Sequence, residues 1–78
     1  MKLDLDLVAY MQAEAGRAYM RRHGLKPSEF VKLDERYDIL GFIEAGYGVF
    51  HMTGIEGVLD EIDDYVEFKR GREARSES

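Results

Sequence analysis

The chain has no cysteine and no tryptophan, and it has one proline among its 78 residues. Without cysteine it can form neither a disulfide nor a thiolate metal site, and it has no thiol nucleophile. A chain of this length predicts one domain with a small core. Its stability must therefore come from the packing of its own elements, from self-association or from a partner.

Long hydrophobic runs are also missing. No apolar segment approaches the roughly 20 residues of a membrane span. The N-terminal stretch MKLDLDLVAY carries acids where a secretory signal peptide has cations and an apolar centre. We therefore expect a cytoplasmic protein that does not associate with membranes.

The side chains needed for catalysis or metal binding do not occur in a known arrangement. Ser28 falls at a predicted helix start and Ser76 and Ser78 near the C-terminus, whereas a serine triad needs an oriented histidine beside the nucleophile. His23 and His51 fall at predicted helix ends, where the helix dipole explains a histidine. The acids after His51 match neither HExxH spacing nor a calcium loop. We therefore predict no enzyme activity, no metal and no cofactor.

Basic residues are absent from residues 37–68, which carry a charge of −8 although the whole chain carries −5. The acids of this stretch are Asp38, Glu44, Glu56, Asp60, Glu61, Asp63, Asp64 and Glu67. Basic residues flank it: Arg17, Arg21, Arg22 and Lys26 on one side, and Lys69, Arg70, Arg72 and Arg75 on the other. An acidic surface is a poor match for phosphate backbones and suits a basic partner. There are two alternatives: the acids form a solvated helix face, or they pair with the first basic group of the same chain.

The spacing of apolar residues predicts helices throughout. The first covers residues 4–23 and is ended by Gly24, because glycine commonly follows a helix. The second begins at Pro27, whose missing N–H costs nothing at the first helical position, and ends near residue 37.

The third and fourth predicted helices form a C-terminal helical hairpin. Asp38 is the expected N-cap of the third helix. Its apolar residues cover about half of the helix circumference, which is typical of a central helix: Ile39, Leu40, Phe42, Ile43, Tyr47, Val49 and Phe50. Thr53 and Glu56 have the spacing of a capping box for the fourth helix. Its apolar face runs from Ile55 to Val66.

After Phe68 the composition changes to KRGREARSES, which contains Gly71 and has no apolar period. We therefore predict a single helical domain over residues 1–70 and a flexible tail over residues 71–78. The expected fold is all-α, a small bundle of three to four helices.

Two features are candidate partner-binding surfaces. One is the polar side of the fourth helix together with the aromatic residue among its acids: Asp60, Glu61, Asp64, Glu67 and Phe68. The other is a stripe of small residues, Gly41, Ala45 and Gly48, which would let another backbone approach the third helix. A solvated face and ordinary core packing are the respective alternatives.

Three segments of the acidic stretch carry a family resemblance: Tyr37-Asp38-Ile39, His51-Met52-Thr53-Gly54 and Asp60-Glu61-Ile62-Asp63-Asp64-Tyr65-Val66. Together with the preceding GLKPSEF, they resemble a small bacterial helical family of unknown function. Members of that family are often encoded beside proteins similar to ADP-ribosyltransferases, in an arrangement like a toxin–antitoxin pair. The resemblance implies an antitoxin or accessory protein and transfers no catalytic residue.

The leading hypothesis is therefore a helical module that binds another protein, such as a toxin enzyme of that kind. The second hypothesis is a homo-oligomer that buries the broad face of its third helix. The third is a nucleic-acid-binding regulator that uses Arg17, Arg21, Arg22 and the C-terminal tail, although the acidic charge argues against it.

Overall fold

A computed structural model of the protein describes residues 5–77, and these residues form five helices. The helices are α1 (Leu5–His23), α2 (Pro27–Tyr37), α3 (Ile39–Ala45), α4 (Tyr47–Phe50) and α5 (Ile55–Glu77). The prediction of an all-α fold is confirmed. The predicted helix start at residue 4 and the last residue of the predicted tail lie outside the described residues.

Two residues in the left-handed conformation separate the first three helices. Gly24 has φ 62° and follows the end of α1, as predicted. Asp38 has φ 56°, donates its backbone N–H to the Asp34 carbonyl at 2.7 Å, and so ends α2. Its carboxylate also accepts the Gly41 N–H at 3.2 Å, which confirms Asp38 as the N-cap of α3. One residue therefore makes the corner between the two helices.

Helix α3 lies at the centre of the fold and contacts α1, α2 and α5. Ile39 and Ile43 on α3 and Ile62 on α5 are the largest fully buried side chains. The central position predicted from the broad apolar face is confirmed, and burying each such side chain contributes about 1.5–3 kcal/mol. The core cluster consists of Ala15, Ala18, Tyr19, Phe30, Tyr37, Ile39, Ile43, Phe50, Val58, Leu59, Ile62 and Val66.

Polar and aromatic contacts also hold α3 between its neighbours. The Gln12 side chain donates to the Leu40 carbonyl at 2.9 Å, which joins α1 to α3. The rings of Phe42 and Tyr65 stack with their centroids 4.1 Å apart. The Tyr65 hydroxyl donates to the Tyr37 carbonyl at the corner before α3.

The predicted third helix is interrupted at Gly46, where φ is −92° and ψ is 2°. The chain then resumes as the single turn of α4. A Cβ atom at position 46 would overlap the ring of Phe50, which is buried in the core. Glycine at this position therefore makes room for the aromatic ring, and α3 and α5 are joined through α4.

The predicted capping box does not form. Helix α5 begins at Ile55, one residue later than a Thr53 N-cap would place it. The Thr53 hydroxyl instead donates to the Val49 carbonyl at 3.0 Å, and the Glu56 carboxylate binds Arg22.

The prediction of an unstructured tail is wrong for residues 71–77, because α5 continues through them. The Glu73 carboxylate accepts hydrogen bonds from Arg36 Nε and from the Tyr37 hydroxyl, both at 2.8 Å. These contacts attach the end of α5 to α2. Gly71 lies within the helix, where glycine costs about 1 kcal/mol relative to alanine and does not by itself end it.

Candidate partner-binding surface

Helix α5 is buried along one side and exposed along the other. Val58, Leu59, Ile62 and Val66 are all at most 3% exposed, whereas Ile55 at the start of the helix is exposed at 37%. Glu61, Asp64, Glu67 and Phe68 are exposed on the opposite side. The predicted apolar side of α5 packs against the core from Val58 to Val66, and an acidic binding surface on its exposed side stays a prediction.

Arg22 at the end of α1 binds three carboxylates of α5. Its guanidinium lies 2.8 Å from Glu56 and 3.0 Å from both Asp60 and Asp63. These hydrogen bonds, first those with Asp60 and Asp63, raise the pKa of the Arg22 guanidinium. Pairing between the first basic group and the acids of the same chain, one of the alternatives given above, therefore occurs at Arg22.

Neighbouring groups extend the Arg22 contact toward the core. His23 Nε2 lies 2.7 Å from the second oxygen of Asp63. The His23 ring lies 4.5 Å from that of Tyr19, measured between centroids. Burial raises the pKa of the Tyr19 hydroxyl, and the negative charge of Asp63 adds to this effect.

The acids in residues 55–67 of α5 thus fall into two groups. Glu56, Asp60 and Asp63 form ion pairs with α1, so Asp60 serves the fold as well as the predicted surface. Glu61, Asp64 and Glu67 form no hydrogen bond or ion pair with other residues of the described chain. The second group is the part of the acidic surface that the fold leaves open to another molecule.

Phe68 is 59% exposed beside these unpaired acids. The helix does not loosen there, because α5 continues for two further turns. The guanidinium of Arg72 lies 5.9 Å from the centroid of the Phe68 ring, within the range of a cation–π contact. We call Glu61, Asp64, Phe68 and Arg72 the outer face of α5.

The residues of the small-residue stripe have different surroundings. A Cβ atom at Gly41 would overlap the Asp38 carboxylate that caps α3, so the local cap explains this glycine. Ala45 and Gly48 are exposed, and a Cβ at Gly48 would meet no atom within 4 Å. Core packing therefore does not account for Ala45 and Gly48, and a contact there with another chain stays a prediction.

Two other surfaces were expected from the sequence: the broad face of the third helix and the basic group near the end of α1. Ile39, Ile43 and Phe50 of the broad third-helix face are buried within the domain, so they are not available for self-association. Arg17, Arg21 and Lys26 are exposed, whereas Arg22 binds acids of α5.

A shallow cavity of about 190 Å³ lies between the start of α1, α4 and the start of α5. Tyr10, Tyr47, His51 and Ile55 are among its lining residues. The stacked rings of Tyr47 and His51 form one wall, with centroids 5.2 Å apart. The sequence does not indicate this cavity, because its lining comes from three separated segments.

A metal site and a membrane span are two other features that residues 5–77 could contain. No group of three or more His, Asp or Glu side chains in this part of the chain is placed to hold a metal ion. Among the helices described, none combines the length and apolar character that a membrane span requires.

Sequence comparison places the chain in one protein family. The chain belongs to the family described as protein of unknown function (DUF3791), whose model matches residues 7–69. The match covers most of α1, all of α2 to α4 and most of α5, including Glu61, Asp64 and Phe68. No curated protein and no solved structure was found to match the chain.

Proposed function

We propose that this protein is a non-catalytic interaction module that binds another protein through the outer face of α5. The observation that carries the proposal is the exposure of Phe68 beside three acids that the fold leaves unpaired. A large exposed aromatic can supply buried contact area in a complex, and aromatic residues are common energetic centres of interfaces. The surrounding carboxylates favour a partner with a basic surface.

The two kinds of side chain have different roles in the proposed complex. Glu61, Asp64 and Glu67 mainly increase the rate of encounter and exclude acidic partners. Phe68 holds the complex once its ring is removed from water. Affinity should therefore fall with added salt but should not vanish, because apolar contact is not screened.

The resemblance noted above suggests the partner's chemical class. It names a protein similar to ADP-ribosyltransferases, for which this chain would act as an antitoxin or accessory protein. This partner, the absence of enzyme activity and the cytoplasmic location are parts of the proposal. A basic contact surface on that enzyme is what the charge of α5 requires.

The experiment is capture of partners by the tagged protein from its native host, followed by binding measurements with the purified partner. The test variant carries Glu61→Lys, Asp64→Lys and Phe68→Ala. We leave Asp60 unchanged because its replacement would also disturb Arg22. The matched control carries Glu14→Lys, Glu35→Lys and Tyr10→Ala. It has the same change of net charge and also loses one exposed aromatic ring, but on α1 and α2.

The proposal predicts that the test variant keeps its helicity and loses partner binding by about 100-fold or more, as expected when an interface loses its central aromatic and its charge complementarity. The control variant should bind as the wild type does. Equal affinity of wild type and test variant would remove the outer face of α5 as the binding surface.

A further inference from the structure

The outer face of α5 has a symmetric charge pattern centred on Phe68. At about 100° per residue, Glu61, Asp64, Arg72 and Arg75 all lie within about 40° of Phe68 around the helix axis. The acids precede the aromatic by seven and four residues, and the arginines follow it by four and seven. The face is therefore acidic at one end, aromatic at the centre and basic at the other end.

This pattern is complementary to itself when two copies lie antiparallel. With a rise of about 1.5 Å per residue, Asp64 and Arg72 each lie about 6 Å from Phe68 along the helix axis, in opposite directions. A twofold axis through Phe68 therefore places Asp64 of one copy at the height of Arg72 of the other. Glu61 and Arg75 match in the same way at about 10.5 Å.

The fold leaves this face accessible. Glu61, Asp64, Phe68 and Arg72 are exposed, and the Arg22 ion pairs lie on a different flank of α5. The core-facing residues Leu59, Ile62 and Val66 point away from it.

We propose that two copies of this protein pair through antiparallel α5 helices, with Phe68 against Phe68 and Asp64 of each copy bound to Arg72 of the other. A closed twofold interface of this kind uses the same patch on both subunits. Arg72 can keep its contact with the Phe68 ring while its guanidinium binds a carboxylate, since both partners lie on the same side of α5. The proposal depends on the Asp64–Arg72 pair, which lies closer to Phe68 than the Glu61–Arg75 pair does.

The inference is independent of the proposed function, because pairing requires no other protein. The two are nevertheless linked, since both use Glu61, Asp64 and Phe68. A partner protein that binds the outer face would compete with the second copy. The dimer would then protect the exposed aromatic until the partner is present.

The test is analytical ultracentrifugation of the purified full chain over a concentration series of about 1 μM to 1 mM, the range of weak protein complexes. Wild type should form a concentration-dependent dimer that weakens as salt screens the exposed charges. Asp64→Arg alone places like charges together and should weaken pairing by about tenfold or more. Arg72→Asp alone should do the same.

The decisive arm mixes the two single variants. A chain with Asp64→Arg and a chain with Arg72→Asp repel their own copies, but both cross-chain pairs are restored when they meet. The mixture should therefore form a one-to-one heterodimer at concentrations where each variant alone is monomeric. Glu67→Arg, the same charge change about 100° away around α5, is the control and should leave pairing unchanged.

Circular dichroism of each variant checks that α5 remains helical. Phe68→Ala should abolish detectable pairing and provides a variant with no change of charge. Wild type that stays monomeric over the whole series would overturn the proposal. A dimer that is indifferent to Phe68→Ala, or single variants that fail to pair when mixed, would overturn it as well, whatever the outcome of partner capture.

Discussion

The two halves of α5 are held to the rest of the molecule by different forces. Residues 55–66 bury four apolar side chains against the core, and Arg22 adds ion pairs along one flank. In residues 67–76 no side chain is fully buried, and Glu73 provides the contacts with Arg36 and Tyr37. Apolar burial should make the first half unfold with the domain, whereas the second half should open separately.

The largest expected effect is the loss of a buried side chain from the first half. Ile62→Ala should lower the free energy of unfolding by about 2–5 kcal/mol. The change loses the favourable transfer of the removed apolar atoms out of water, and it leaves a cavity. Chemical denaturation measures this loss. Glu67→Ala, on the exposed side of the same helix, is the control and should change stability by no more than about 0.5 kcal/mol. Equal effects of the two changes would contradict the assigned faces of α5.

The next effect comes from the ion pairs that join α1 to α5. Arg22→Gln removes the one cation that contacts Glu56, Asp60 and Asp63, so it should lower the urea midpoint more than Arg21→Gln does. Both variants lose one positive charge from neighbouring exposed positions, so net charge cannot explain a difference. The difference between the urea midpoints of the two variants should decrease in high salt, because exposed ion pairs are screened. Identical midpoints would show that the Arg22 contacts add nothing to stability.

A third, local effect distinguishes the second half of α5. Hydrogen bonds from Arg36 and Tyr37 hold the pKa of Glu73 below its usual range. A carboxyl whose pKa is lower in the folded state stabilises that state above the unfolded pKa, about 4.3 for glutamate, and this contribution is lost as pH falls through the lower folded value. The Cα chemical shifts of residues 70–76 should therefore lose helical character in acid before those of residues 58–66 do.

Glu73→Gln is the control for this acid transition. Glutamine cannot lose a proton in this range, so the local transition of residues 70–76 should disappear. A variant that keeps the same acid transition would mean that another group controls the end of α5.

The smallest effect comes from two glycines, one in each half of α5. A Cβ at Gly71 meets no atom within 4 Å, so Gly71→Ala should stabilise residues 67–76 by up to about 1 kcal/mol. A Cβ at Gly57 would lie 2.7 Å from Thr53 Cγ2, so Gly57→Ala should gain less or destabilise. Amide hydrogen exchange of individual residues measures the local stability change that each substitution causes. A larger gain from Gly57→Ala would contradict the described packing.

The two halves also differ in how far the sequence predicts them. Val58, Leu59, Ile62 and Val66 repeat at helical spacing, so the first half and its buried side follow from local pattern alone. The second half has no such repeat. Its anchor joins Glu73 to Arg36 and Tyr37, which are 37 and 36 residues away. Local composition carries no information about a contact of that range, and a disordered tail was therefore the wrong prediction.

The candidate surface was predictable in the same partial way. The acids of α5 and the position of Phe68 follow from the sequence, as does the N-cap at Asp38. The division between acids bound by Arg22 and acids left exposed does not, because it depends on where the end of α1 meets α5. The self-complementary charge pattern of the outer face requires Arg72 and Arg75 to be helical, and local composition does not show that α5 continues past Gly71.

Helix α5 is attached to the core along one side, and we propose that its outer face pairs with a second copy of the chain. The most direct test is a map of backbone amide chemical shifts recorded while the protein is titrated from dilute to concentrated solution. We expect shift changes centred on Glu61, Asp64, Phe68 and Arg72, with little change at Ile39 and Ile43 in the core. Changes centred instead on Tyr10 and Tyr47, or no change at any concentration, would contradict it.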